Sequence, residues 1–223
     1  MRAGIIDFIL LPIYLMLGWI FFKNYSNKRI RAGFTYYRFL PTLFIIKALL
    51  GTLYCIIYTY YYTYGGDSVG YFTSSVVLSR AFFTFGPFAF LEIIGSIITK
   101  DPYIPYLNED TGYFNIFSLS DTNAIFTSFY TVPFTILGFN NYILATIVLN
   151  IFSTMALWKL FQVLHHYYSH RFTKMFSFIY FFPSLLFWGS GILKDNYCLS
   201  FLAIYVYSFF KLYILKQKKI KYY

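Results

Sequence analysis

Two passages interrupt an otherwise apolar chain with residues able to do chemistry. The first is Tyr64-Gly65-Gly66-Asp67-Ser68-Val69-Gly70-Tyr71-Phe72. Paired glycines permit positive φ and close backbone approach. A carboxylate presented on such a turn is suited to act as general base toward an acceptor hydroxyl, or to bind a divalent cation. The same residues also suit a helix-ending turn in which Asp67 caps a helix starting near Ser68. The second passage runs from Pro183 to Asn196 and reads PSLLFWGSGILKDN. Pro183 removes a backbone donor and can kink its helix. Gly189, Ser190 and Gly191 permit close helix packing or an opened backbone. Lys194 can hold a phosphate as a compact point charge. The plainer alternative is a helical hairpin turn at Lys194-Asp195-Asn196, with Lys194 paired to Asp195 or to lipid headgroups. Asp67 is therefore the catalytic candidate, and Lys194, Tyr71, Trp188 and Asp195 are the candidates for binding substrate.

Other polar groups carry weaker signals. His166 and His170 are spaced to share a helix face beside His165 and could pair on a metal. No carboxylate lies near them, and the end of a helix at a membrane edge accounts for them as well. Asp101-Pro102 and Asn108-Glu109-Asp110-Thr111-Gly112 offer oxygens for calcium, but the twelve-residue calcium-loop pattern is absent, so a solvated loop is expected. Cys55 and Cys198 both lie in apolar stretches and form no CxxC pattern. The sequence has no phosphate-cradling P-loop, no GxSxG and no HExxH, which argues against ATP-driven transport within this chain. The cofactor is left open, a divalent cation at Asp67 being the one candidate.

The elements that must position these groups are transmembrane helices. The chain is 59% hydrophobic and 12% charged, about half the charged fraction of a soluble domain. Its long apolar runs are continuous, not alternating, which favours helices over a barrel as the way to satisfy the backbone in lipid. The expected fold is all-α: one polytopic transmembrane helix bundle covering 1–223. Spans are expected at 5–22, 41–62, 142–163, 175–193 and 197–215. The first run lacks a small-residue cleavage site after it and reads as a retained helix. Lys47, inside the second run, is close enough to its basic end to snorkel. The segment 63–123 is expected to hold interfacial or re-entrant helices at 75–90 and 91–98, broken by Gly86, Pro87 and Gly95. A sixth short run, 124–139 with Pro133 inside, fits as a re-entrant or surface helix.

A net charge of +10 would suggest nucleic acid in a soluble protein. Here the basic residues flank apolar runs, so orientation explains them better and no nucleic-acid partner is expected. The positive-inside rule puts 23–38, 165–174 and the tail 216–221 in the cytoplasm. The N-terminus, 63–123 and the Lys194 turn then face outward. Asp67, Glu92, Asp101, Glu109, Asp110, Asp121 and Asp195 all fall on the outer side, with Asp7 near the outer end of its span. The outer face is thus where acid chemistry can occur.

Gly65-Gly66-Asp67 with Tyr71 after an early span, followed much later by Pro183 to Asn196, resembles bacterial membrane proteins related to the GT-C glycosyltransferases and polysaccharide-repeat polymerases. That resemblance rests on two short motifs, their order and their outward placement. It implies an enzyme of the cytoplasmic (inner) membrane using polyprenyl-phosphate sugars at the outer face in surface polysaccharide synthesis. An acid in the first outer loop of that group serves as base or metal ligand, and Asp67 is the matching position. Lys194 is a phosphate-binding candidate by position and chemistry. The chain departs from the pattern in two ways: its acid follows the second span instead of the first, and its spans are fewer. It therefore reads as a compact or truncated relative, or as one half of a complex with a membrane partner subunit. The alternative class is a non-catalytic scaffold, or a transporter or flippase subunit.

Overall fold

The computed structural model describes residues 5–62, 66–99, 104–114, 122–168 and 183–215. Among these, every regular element is helical. Helix α1 is Ile5–Arg31 and α2 is Leu40–Tyr60, joined through a 3-10 turn at Thr35–Phe39. Helices α3 (Gly66–Phe85) and α4 (Pro87–Thr99) follow, then α5 (Thr122–Leu137) and α6 (Tyr142–Tyr168). A six-residue helix α7 (Pro183–Trp188) precedes α8 (Lys194–Phe209), which ends in a π-helical turn, Phe210–Ile214.

Four helical stretches are long and apolar enough to cross a membrane: Ile9–Arg31, Thr35–Tyr60, Tyr142–Tyr168 and Lys194–Ile214. The expected span at 175–193 lies mostly outside the described residues. Its described part is a helix over Pro183–Trp188 and an irregular turn at 189–193. The four candidates are not equivalent. The most apolar window of α6 is 67% buried against 17% for α1, so α6 is the centre of the bundle and α1 a peripheral helix. On α1, Ile9, Ile13, Met16, Leu17 and Ile20 face outward, a stripe at helical spacing of the kind lipid would cover. Its opposite face docks on α2. Gly18 makes room for Phe44, whose ring would lie 2.3 Å from any Cβ added there. Phe22 packs on the same ring at 5.0 Å, and Ser26 Oγ donates to the Tyr37 carbonyl at 2.7 Å.

The second half of the core is a Ser/Thr-lined contact between α3 and α5. Ser75 and Thr135 share a hydroxyl hydrogen bond of 2.6 Å, and Ser79 donates to Asn140 at 2.9 Å. Small side chains let two helix backbones approach closely, and in lipid the hydroxyls find partners across the contact. The break expected around 86–95 falls at Gly86 alone, which has φ +88°, whereas Gly95 lies inside α4. The first of these helices begins at Gly66, well before the expected start near 75. Helix α5 has 16 residues, about 24 Å of rise, against a hydrocarbon core of about 30 Å. It turns sharply into α6 because Gly138 abuts the backbone of Ala145. Asn141 then accepts the Leu144 N–H at 3.0 Å and caps α6.

The bundle has two distinct ends. At one, α1, α6 and α8 finish together, with Arg29, His165, His166 and Lys211 around a single cavity. At the other, α2 finishes while α3, α6 and α8 begin, and Cys55, Tyr71, Tyr142, Ile192 and Tyr197 form one cluster. Tyr168 therefore lies at the first end and Lys194 at the second.

Candidate functional site

The second motif is built as an opened backbone inside the bundle. Helix α7 stops at Trp188, and 189–193 climbs along α2 to the start of α8. Unpaired carbonyls inside a bilayer are tolerated only where protein satisfies them, and three here are met by side chains. Lys47 Nζ donates to the Gly189 carbonyl. Asn150 Nδ2 donates to the Ser190 carbonyl at 2.9 Å, and Asn196 Nδ2 to that of Gly191 at 3.0 Å. The glycines are spatial requirements. A Cβ on Gly51 would sit 2.4 Å from Asn150 Nδ2 and 2.7 Å from the Ser190 carbonyl oxygen, and one on Gly191 would enter the Tyr54 ring at 2.5 Å. The snorkelling expected of Lys47 does not occur: it is 2% exposed and turns inward, because the opened turn offers a carbonyl that lipid does not. The Lys194-Asp195-Asn196 hairpin turn is also corrected. Those three residues are the first turn of α8, and the reversal falls on 189–193.

That turn sets the position of Lys194. Leu193 is extended, at φ −135° and ψ 153°, and supplies no side-chain cap to α8. Lys194 Nζ lies 5.7 Å from the centre of the Tyr71 ring. Tyr71 is buried on α3, four residues beyond Asp67, about 6 Å along the helix axis. Asp67, Tyr71 and Lys194 thus gather at the end where α3 and α8 start. Asp67 itself is exposed in the first turn of α3, the position where a helix favours negative charge. Asp195 is exposed in the first turn of α8 and is governed by the same preference.

Lys194 stands at the head of a groove of about 980 Å³ between α5 and α8, walled by Phe126, Tyr130, Tyr197, Phe201, Leu202 and Tyr205. From Lys194 to Tyr205 the groove runs about 16 Å down α8 at helical rise. Its walls are mostly apolar and its one cationic lining residue is at the top. Sequence reasoning found the lysine but not the groove. The groove depends on α5 standing beside α8, where Tyr130 meets Tyr197 and Phe201, a tertiary relation without any sequence signal. Its wall at Tyr130 is fixed by the Thr131–Tyr197 hydroxyl bond of 2.8 Å one residue on.

Trp188 stands apart from this groove. It is 43% exposed and meets Tyr54 edge-on at 6.2 Å. Tyr54 stacks on Tyr58 at 4.2 Å, and Tyr58 on Tyr62 at 4.9 Å. The i, i+4, i+8 spacing of these tyrosines was readable in the sequence as one helix face. Their ladder leads from Trp188 to Gly66, whose Cα abuts Tyr58, and so to Asp67. An aromatic surface on α2 therefore lies beside the start of α3.

The remaining candidates resolve more simply. In the 108–112 loop Asn108 Oδ1 accepts the N–H groups of Asp110 and Thr111, both at 3.0 Å, an Asx turn that leaves Glu109 and Asp110 in solvent. His165 lies tilted over Tyr36 at 4.3 Å and His166 edge-on to Phe210 at 5.1 Å, while His170, Asp101 and Asp121 fall outside the described residues. Among the described residues, no three His, Cys, Asp or Glu side chains converge as a metal-binding group. A cation at Asp67 would lean on that carboxylate and on a substrate phosphate, as magnesium often does. Cys55 is buried against Thr146 at 3.1 Å and Cys198 is exposed on α8, both free. Comparison with protein-family models, with curated proteins and with solved structures finds no match.

Proposed function

We propose that this chain is a membrane glycosyltransferase-like enzyme acting on polyprenyl-phosphate sugars, at the end of the bundle where α2 finishes and α3 and α8 begin. That end is the outer face of the cytoplasmic membrane in this reading. One observation carries it: Lys194 heads a largely apolar groove and also packs on Tyr71, one helical turn from Asp67. A phosphate suits the Lys194 ammonium and the N–H groups opening α8, where the helix dipole favours negative charge. The prenyl chain suits the groove below it, whose depth matches several isoprene units. In the transfer, Asp67 accepts the proton of the acceptor hydroxyl as its oxygen bonds to the sugar's anomeric carbon. The bond from that carbon to the phosphate oxygen breaks, and its electron pair leaves with the prenyl phosphate, whose charge Lys194 neutralises. Tyr71 orients the lysine. Asp195 is placed to accept sugar hydroxyls, and the Trp188–Tyr62 ladder offers a surface for sugar stacking.

The test uses a strain that makes its surface glycan through this protein. Asp67→Asn is expected to lower glycan synthesis by about 100-fold or more, the usual weight of a general base. Lys194→Ala is expected to weaken carrier binding by about 10- to 100-fold, as for a lost charge-assisted contact. Unchanged polymer from variants that still reach the membrane would overturn the proposal. A second reading is favoured by the exposure of Asp67: the same groove and lysine hold a lipid-linked sugar without turnover, as in a flippase or scaffold subunit. It predicts that Lys194→Ala abolishes function while Asp67→Asn is silent.

A further inference from the structure

The opposite end of the bundle carries a second, independent feature. A cavity of about 550 Å³ is enclosed by the last turns of α1, α6 and α8. Arg29, His165, His166 and Lys211 line it, with Tyr36 and Tyr207 as aromatic walls. These basic groups come from three separate helices, so no local sequence feature brings them together. Their positions are held by electron-rich rings. Arg29 lies 5.2 Å from the Tyr25 ring centre and 5.9 Å from that of Tyr37. Tyr207 has Lys159 at 4.4 Å and Lys211 at 5.8 Å. A second cavity of about 430 Å³ adjoins through Tyr36 and His165 and adds Arg38.

Gathering like charges at a partly buried site opposes folding unless an opposite charge compensates. The stretches 8–66, 122–194 and 196–223, from which the residues lining the cavity come, contain no Asp or Glu. Of the acids flanking these stretches, Asp7, Asp67 and Asp195 lie in the first turns of helices that begin at the far end. We infer that the cavity between Arg29, His166 and Lys211 binds a phosphate-bearing anion, delivered either as the headgroup of an anionic phospholipid or as a soluble phosphate. Charged guanidinium and ammonium groups suit phosphate oxygens. A basic pocket between helix ends at a membrane edge is the setting in which lipid headgroups are recognised.

The experiment uses the purified full chain in phosphatidylcholine nanodiscs. Phosphatidylglycerol is added in increasing fraction and bound lipid is counted by native mass spectrometry. In parallel, inorganic phosphate and pyrophosphate are titrated by calorimetry into the phosphatidylcholine sample. Arg29→Gln with Lys211→Gln is expected to weaken binding about tenfold or more. Arg29 also supports the fold through Tyr25, so Lys211→Glu alone, at a half-buried position, provides a second test with the same direction. Lys23→Gln, on the ring of Trp19 away from the cavity, is expected to leave binding unchanged. Selective phosphatidylglycerol retention that falls in the variants supports a headgroup ligand. Phosphate or pyrophosphate binding that falls in them supports a soluble one. Binding of neither anion, or equal binding by wild type and the charge-removed proteins, overturns the inference.

Discussion

Lys47 shows how one side chain can be read correctly for its charge and wrongly for its direction. Seven residues into α2, it lies about 10 Å from the helix start at helical rise, within reach of the basic end for a long side chain. It goes the other way because the Gly189 carbonyl, stranded by the end of α7, is a stronger attraction inside the bundle than a distant interface. Lys47→Met is therefore expected to leave that carbonyl unsatisfied and cost about 1–3 kcal/mol, seen as a lower melting temperature of the detergent-solubilised protein. An unchanged or raised melting temperature would mean that desolvating the lysine already cancels its bond. Asn150 is expected to behave similarly. Asn150→Leu strands the Ser190 carbonyl and also brings bulk against Gly51, so its effect should exceed that of Lys47→Met. Neither interaction is legible in the sequence, because Lys47, Asn150 and Gly189 are far apart along the chain and each sits in its own apolar run.

At the scale of elements, the glycines separate packing from permissiveness. Gly51 and Gly95 both lie inside helices, yet their surroundings are opposite. A Cβ on Gly51 strikes the Ser190 carbonyl oxygen at 2.7 Å, which is backbone and cannot swing aside, whereas nothing lies within 4 Å of one on Gly95. Gly51→Ala should lower stability by about 1–3 kcal/mol through overpacking. Gly95→Ala should raise it by about 0.5–1 kcal/mol, by removing backbone freedom from the unfolded chain. Thermal melts of the two variants side by side check both signs, and equal effects would refute the close contact of α2 with the opened turn. The sequence distinguished such glycines only partly. Gly86 was readable as a break because a proline follows it, which bars the residue before it from helical geometry. Gly95 looked the same by type, but Ala89, Ile93 and Ile97 recur at helical spacing around it, and α4 runs straight through. The GSG passage announced an opened or closely packed backbone. Which carbonyls opened, and what answered them, depended on three other helices.

For the molecule as a whole, the helical class and the apolar runs at α1, α2, α6 and α8 were legible, because lipid-length hydrophobic stretches need no tertiary context to be seen. The pairing of Lys194 with Tyr71 was legible only as two residues attached to the same end of the framework. Their contact comes from α3 and α8 beginning at the same end, and the groove from α5 facing α8. The same framework makes a testable statement about direction. The described basic residues Arg29, His165, His166 and Lys211 meet at one end of the bundle, and Asp67 and Asp195 begin helices at the other. If the positive-inside rule governs insertion, the two ends face opposite compartments. Cys55→Ala with Cys198→Ser removes both native thiols, and single cysteines are then placed at Asp110, in the exposed Asx loop, and at His166, at the end of α6. A membrane-impermeant maleimide applied to intact cells is expected to label the cysteine at 110 and spare that at 166. Permeabilisation should make both reactive. Labelling of 166 alone in intact cells would invert the orientation and move Asp67 and Lys194 to the cytoplasmic side. A lipid-linked sugar enzyme of the outer face could not then be what this chain is, while the anion cavity at the basic end would meet the outer leaflet instead.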